Sequence, residues 1–211
     1  MVLKNFIVFE GIDGSGTTTQ IKRLAETNPE LYYQTAEPTS LPTGLFLRKM
    51  LKGEFSVDEK TNAFLFAADR CEHIYGKEGI INQINNGKIV ISDRYFFSSL
   101  AYQSISCGEE FPLMVNSLFP LPEYLFYFKI DAETALNRVN SRNGQKEIYE
   151  KLDLQKKIAE QYDKVISSYE KKMNELSLSD AQTQIMKIIK IDASKSIDEV
   201  SQIINNSLNL Q

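Results

Sequence analysis

Three glycines and a cluster of hydroxyls suggest the chemistry. Gly11, Gly14 and Gly16 fall within six positions, and Ser15, Thr17, Thr18 and Thr19 crowd around them. Glycines let backbone N–H groups converge on an anion, and a helix starting just beyond adds partial positive charge. Gly11 and Gly16 keep the spacing of a phosphate-binding loop, G-x4-G-K-[ST], with Thr18 at its hydroxyl position. One position departs: Thr17 stands where that pattern carries lysine. A threonine hydroxyl neither neutralises a phosphate nor reaches as far. Losing one preorganised contact of this kind costs about 2.7–4 kcal/mol, or about 10²–10³ in turnover. On these residues alone three outcomes stay open. Another cation compensates, or transfer is slow, or nucleotide binds without phosphate being transferred.

Other residues carry weaker signals. An apolar run over residues 88–92 ends in Asp93-Arg94-Tyr95, and a carboxylate at such a strand end can hold Mg2+ directly or through water. Phe66 and Arg70 are four residues apart in a helical pattern and share a face. A ring and a guanidinium so placed can stack on a base and bond its edge, although a core phenylalanine beside a surface arginine has the same spacing. Glu37 follows a strand, at the end where open α/β sheets bind ligands. Residues 140–146 are polar and basic between two helices, which suits either a solvated loop or a lid that carries cations over phosphates.

These residues need elements to hold them. Hydrophobic periodicity predicts strands over residues 6–9, 31–35, 88–92, 124–130 and 185–191. It predicts helices over 18–26, 44–51, 57–84, 98–106, 112–119, 132–139, 152–176 and 197–208. Such alternation argues for an α/β fold, a parallel sheet with helices on both faces, in one domain over residues 1–211. A net charge of −4 leaves no global basic footprint for nucleic acid. No stretch reaches the ~20 apolar residues of a membrane span. Cys71 and Cys107 lack metal-ligand spacing and fit a reduced, cytoplasmic setting. The single histidine, His73, reads as a polar residue on a helix rather than a catalyst.

Taken together, FEGIDGSG, TAEPT, FLFAADR and DRYFFSSLAYQ resemble the thymidylate kinase family, P-loop enzymes that phosphorylate dTMP. The resemblance extends through the IDAS loop near the end of the chain. It implies a P-loop NTPase-type three-layer sandwich with a five-stranded parallel sheet, ATP as phosphoryl donor, Mg2+, and a homodimer. Gly11, Gly14, Ser15, Gly16, Thr17, Thr18 and Thr19 would line the ATP phosphates, and Ala193, Ser194 and Lys195 would border adenine. Phe66 would stack on thymine and Arg70 bond its carbonyl edge, with Ser99 and Gln103 facing the base. Tyr102 would sit beneath the sugar and favour deoxyribose.

At the reacting end, the resemblance puts Asp13 near the 3′-hydroxyl and the acceptor phosphate. Arg48 and Arg94 would hold that phosphate, Tyr162 would close over it, and Thr18 and Asp93 would serve Mg2+ with Glu37 at its border. A lid over residues of about 140–150 would supply Arg142 as the compensating cation, with Arg138 or Lys146 as substitutes. Two departures from the family, Thr17 and Ala36, both remove positive charge near the phosphates or the Mg2+ site. An active dTMP kinase, a degenerate nucleotide-binding protein and a kinase for another small acceptor therefore remain three readings.

Overall fold

The computed structural model describes residues 1–141, 149, 151–179 and 184–209. Five strands, β1 (Val2–Gly11), β2 (Tyr32–Ala36), β3 (Ile89–Asp93), β4 (Leu121–Lys129) and β5 (Lys187–Asp192), form one all-parallel sheet in the order β2-β3-β1-β4-β5. Strands buried on both faces read as unbroken apolar runs, and Phe6, Val8 and Phe9 of β1, with Val90, Ile91, Leu125 and Phe126 beside them, are fully buried.

Parallel neighbours need crossover connections, and helices supply them. α1 (Thr17–Thr27) follows β1. α2 (Pro42–Leu51), α3 (Glu59–Tyr75) and α4 (Ile80–Asn85) follow β2. α5 (Phe96–Tyr102), α6 (Ser104–Cys107) and α7 (Glu110–Asn116) follow β3, α8 (Ala132–Asn140) and α9 (Leu152–Ser179) follow β4, and α10 (Ile197–Ser207) follows β5. The chain leaves β1 for the β2 edge, returns through β3, then crosses to β4. Strand order thus reverses about β1, and a crevice opens at the carboxyl ends of β1, β3 and β4, where such sheets bind ligands.

Some expected boundaries move. The helix expected over residues 57–84 is two, because Gly76 ends α3 and Gly79 opens α4. A side chain at Gly76 would place Cβ 2.4 Å from the Glu72 carbonyl oxygen, so only glycine lets the chain turn there. The helix expected over 98–106 begins earlier and divides at Gln103. The one expected over 112–119 begins two residues earlier, with Pro112 in its first turn, where no N–H is needed. β1 starts at Val2 rather than residue 6, with its register to β4 shifting between Leu3 and Ile7, where Asn5 takes φ 58°.

Candidate active site

The glycine segment joins β1 to α1 with two left-handed turns, φ 87° at Gly14 and 97° at Gly16. A Cβ on Gly14 would stand 2.2 Å from the Ala135 carbonyl oxygen, so the loop lies directly on α8. Gly16 caps α1 without any side-chain hydrogen bond, and the first turn carries no acidic residue. The opening N–H groups of α1 are therefore available to an anion. At the same turn the Thr18 hydroxyl donates to Asp93 Oδ2 at 2.5 Å, bringing two hard oxygen ligands together. Among the described residues no three His, Cys, Asp or Glu side chains cluster as a metal site. A cation held here would take its remaining ligands from phosphate and water, as Mg2+ does.

Two cavities flank this loop. The larger, about 570 Å³, runs from Gly14, Gly16, Thr17 and Thr18 to Phe66, Arg70 and Gln103. The smaller, about 330 Å³, lies on the other side, between Ser15, Thr19, Arg138, Ala193 and Lys195. Ser15 Oγ is buried and unpartnered among the described residues.

Asp13 and Arg94 meet in the middle of the larger cavity, Nη2 to Oδ1 at 2.6 Å. Arg94 leaves β3 in a left-handed conformation, φ 73°, and its N–H bonds the Phe9 carbonyl at 2.9 Å. That backbone turn directs the guanidinium across the end of the sheet. Its Nη1 donates to Gly11 O at 3.0 Å, Ser98 Oγ at 3.1 Å and Tyr162 Oη at 3.2 Å. Tyr102 covers its face, 5.3 Å from the ring centroid, and donates its hydroxyl to Asp13 Oδ2 at 3.2 Å. Burial pushes the Tyr102 hydroxyl well above its ordinary pKa, so it stays a donor.

Behind this pair lies Glu10, fully buried. Its Oε1 accepts the N–H groups of Tyr95 at 2.8 Å and Ser98 at 3.2 Å, capping α5, and its Oε2 accepts the Ser98 hydroxyl at 2.7 Å and the Tyr162 hydroxyl at 2.8 Å. Burial pushes the Glu10 carboxyl up to about 7, against the lowering pull of Arg94 and of the hydrogen bonds from Ser98, Tyr162 and Tyr95.

At the far end, Phe66 and Arg70 both reach the cavity wall. Arg70 is buried, and it spends four of its five N–H bonds on the protein. Nε and Nη2 donate to Glu37 Oε2 at 2.9 and 2.6 Å, Nη2 to Ser99 Oγ at 3.1 Å, and Nη1 to Asn116 Oδ1. Gln103 is buried on the same wall, and its Oε1 has no partner among the described residues. Arg48 lines the same cavity, held by the carbonyls of Thr39 and Pro38.

Most expected site residues therefore converge. Asp13, Glu37, Arg48, Phe66, Arg70, Asp93, Arg94, Ser99, Tyr102 and Gln103 line the larger cavity with the loop residues. Tyr162 does not close over it: the ring is fully buried beneath Arg94, bonded to Glu10 and Ser98. Glu37 does not offer its carboxylate to a cation, since Oε2 holds Arg70 and Oε1 meets His73 Nδ1 at 3.1 Å. Ser194 does not line the smaller cavity, its hydroxyl donating to Asp192 Oδ1 at 2.5 Å, whereas Ala193 and Lys195 do. Gly11 lies behind the loop, its carbonyl holding Arg94. Arg142 and Lys146 lie outside the described residues.

Glu10, Tyr149, Gln155 and Asn116 had no expected role. Gln155 donates to Asp13 Oδ2 at 3.0 Å, and Tyr149 packs edge-on against Tyr102. A signal existed for Gln155, a polar residue at the core spacing of Ile158, Tyr162 and Ile166, and for Glu10, a charge on an otherwise apolar strand.

The description Thymidylate kinase belongs to the family model that matches residues 9–204. A Treponema pallidum protein provisionally named thymidylate kinase is 38% identical over 204 residues, covering 95% of this chain and 93% of its own length. A Methanocaldococcus jannaschii protein named probable thymidylate kinase is 42% identical over 170 residues, 80% of this chain and 85% of its own. The thymidylate kinase of Leptospira interrogans is 40% identical over 170 residues, 76% of this chain and 81% of its own.

Proposed function

The chain belongs to the thymidylate kinase family, and from that premise we propose how its residues divide the work of moving a phosphoryl group from ATP to dTMP. It is a phosphotransferase that converts dTMP to dTDP. The larger cavity takes dTMP and the smaller takes the adenosine of ATP, with the glycine loop between them cradling the donor phosphates through backbone N–H groups.

The observation that carries this reading is the pairing of one donor and one acceptor on the base wall. Among the described residues, Arg70 keeps a single N–H on Nη1 uncommitted and the buried Gln103 Oε1 has no partner. Thymine offers the complement, a carbonyl beside an N–H. Cytosine presents the reverse pattern and would leave both protein groups unsatisfied, a mismatch that such sites reject strongly. Phe66 supplies the stacking surface, and Tyr102 stands where a 2′-hydroxyl would crowd it.

An acceptor phosphate already carries a nucleophilic oxygen, so positioning and charge matter more than a base. Arg94, steered by Asp13 and backed by Glu10, holds that phosphate with Arg48. Tyr162 acts from beneath by fixing Arg94. Thr18 and Asp93 hold Mg2+, which when bound offsets charge on the transferring phosphate. Thr17 leaves the loop one cation short, and Arg142 on the lid, about residues 140–150, makes up the charge, with Arg138 already beside the smaller cavity.

The whole chain acts as one domain in the cytoplasm, where its two free cysteines stay reduced. It pairs with a second copy through the α3–α7 face, which leaves Phe64, Leu113, Met114 and Leu118 exposed. A thermal-shift screen across nucleoside monophosphates tests the acceptor assignment. dTMP should stabilise the protein most, and a larger shift with dCMP or AMP would refute it.

A further inference from the structure

Resting on that assignment of the base wall, we propose that Asn116 and His73 are positioning residues that set acceptor-base specificity by locking Arg70 in one orientation. Neither belongs to the motifs that identify the site, and neither lines the cavity. Both act through the guanidinium or its carboxylate.

The lock has three parts. Asn116 donates its Nδ2 to the Pro112 carbonyl at 2.8 Å, one turn back in α7. That bond fixes which end of the amide faces Arg70, so Oδ1 is the acceptor for Nη1. On the other side Glu37 takes both Nε and Nη2 through a single oxygen, Oε2. Its second oxygen would leave the carboxylate free to swing, but His73 Nδ1 holds Oε1 at 3.1 Å. A carboxylate only accepts, so Nδ1 carries a proton toward Glu37, and Nε2 pairs with the Thr35 hydroxyl at 2.6 Å. β2, α3 and α7 are thereby tied to one guanidinium.

The third part is steric. Tyr95 and Phe119 place their rings 5.5 and 5.6 Å from the Arg70 guanidinium carbon. With the plane held by two rings and four N–H bonds directed, one Nη1 hydrogen has a defined place in the cavity. A donor with one fixed direction distinguishes a base carbonyl from a base amino group. Released from Asn116, the guanidinium as a whole could swing away from the base, and the penalty against a base amino group facing its N–H would fall.

The test compares kcat/KM for dTMP and dCMP, both at saturating ATP, in the unaltered protein, Asn116→Ala and Asn116→Asp. Asn116→Ala should narrow the dTMP preference by about tenfold or more, the worth of one directed hydrogen bond to a charged group, mainly through a higher KM for dTMP. Asn116→Asp keeps an acceptor for Nη1 but loses the donor to the Pro112 carbonyl, so it should restore part of the preference. His73→Phe, which frees Glu37 Oε1, should shift the ratio the same way and serves if Asn116→Ala does not fold. Loss of activity on both acceptors in proportion, with the ratio unchanged, would mean a merely structural role and overturn the proposal. An unaltered protein with no preference for dTMP would instead overturn the assignment of the base wall and this inference with it.

Discussion

Tyr162 donates its hydroxyl to Glu10 Oε2 at 2.8 Å, joining α9 to the end of β1 across 152 residues of chain. The bond explains why a tyrosine expected over the acceptor site lies under it. Burial drives the ring into the core, burial and the Glu10 carboxylate hold its hydroxyl protonated, and from there it braces Arg94.

Glu10 makes stability depend on pH. Its carboxyl is raised from 4.5 to about 7 by burial, so the folded state binds the proton more tightly than the unfolded one. Its stabilising share is fully present below about 4.5 and is lost as pH rises through about 7. Glu10→Gln removes this dependence. Urea unfolding from pH 4.5 to 8 should show the unaltered protein losing about 3 kcal/mol relative to the variant. Parallel curves for the two proteins would mean that Glu10 titrates normally.

Gly14→Ala and Gly16→Ala separate two kinds of strain. Both positions have positive φ, which costs about 1–3 kcal/mol for a residue with a side chain, but only at Gly14 does a Cβ also collide, with the Ala135 carbonyl at 2.2 Å. Gly14→Ala should therefore lower the Tm more and lift the loop from α8. Equal Tm losses would show that packing against α8 contributes nothing.

Tyr102 lines the larger cavity with its ring over Arg94, and on the proposed assignment the bulk of that ring excludes a 2′-hydroxyl. Tyr102→Ala should raise activity on ribothymidine monophosphate relative to dTMP, while Tyr102→Phe should keep the preference for deoxyribose. A preference left intact by Tyr102→Ala would place the sugar elsewhere.

Arg142 is the proposed substitute for the absent loop lysine. Arg142→Ala should reduce kcat by about 10²–10³ with little change in KM for dTMP, the effect of losing one charge that acts on the transferring phosphate. An unchanged kcat would pass that role to Arg138, which lines the smaller cavity and donates to the Ala193 carbonyl at 3.0 Å.

The sequence makes the glycine loop and the five strands legible because each depends on local spacing, whereas Arg48, Arg94, Ser99, Tyr102 and Gln103 are expected at the site only from the resemblance of whole motifs to a family. Gly11 to Thr18 states its geometry within eight positions. What escapes is whatever depends on distant partners. Glu10 finds Ser98 88 residues away, Arg70 finds Asn116 46 away, and Asp13 finds Gln155 142 away. Periodicity places Tyr162 and Gln155 on the core face of α9 but does not say that they meet the carboxylates of Glu10 and Asp13. His73 reads as an ordinary helical polar residue for the same reason: nothing near it in sequence announces Glu37 or Thr35.

Transfer of phosphate to dTMP with threonine at position 17 is what most needs a direct test. The direct measurement is dTMP-dependent ADP release from ATP and Mg2+ by the unaltered protein beside Thr17→Lys. Sustained turnover with Thr17 in place, at a rate not far below that of Thr17→Lys, is the predicted result. Turnover confined to Thr17→Lys would contradict it, leaving a chain that binds both nucleotides but has lost the charge needed to join them.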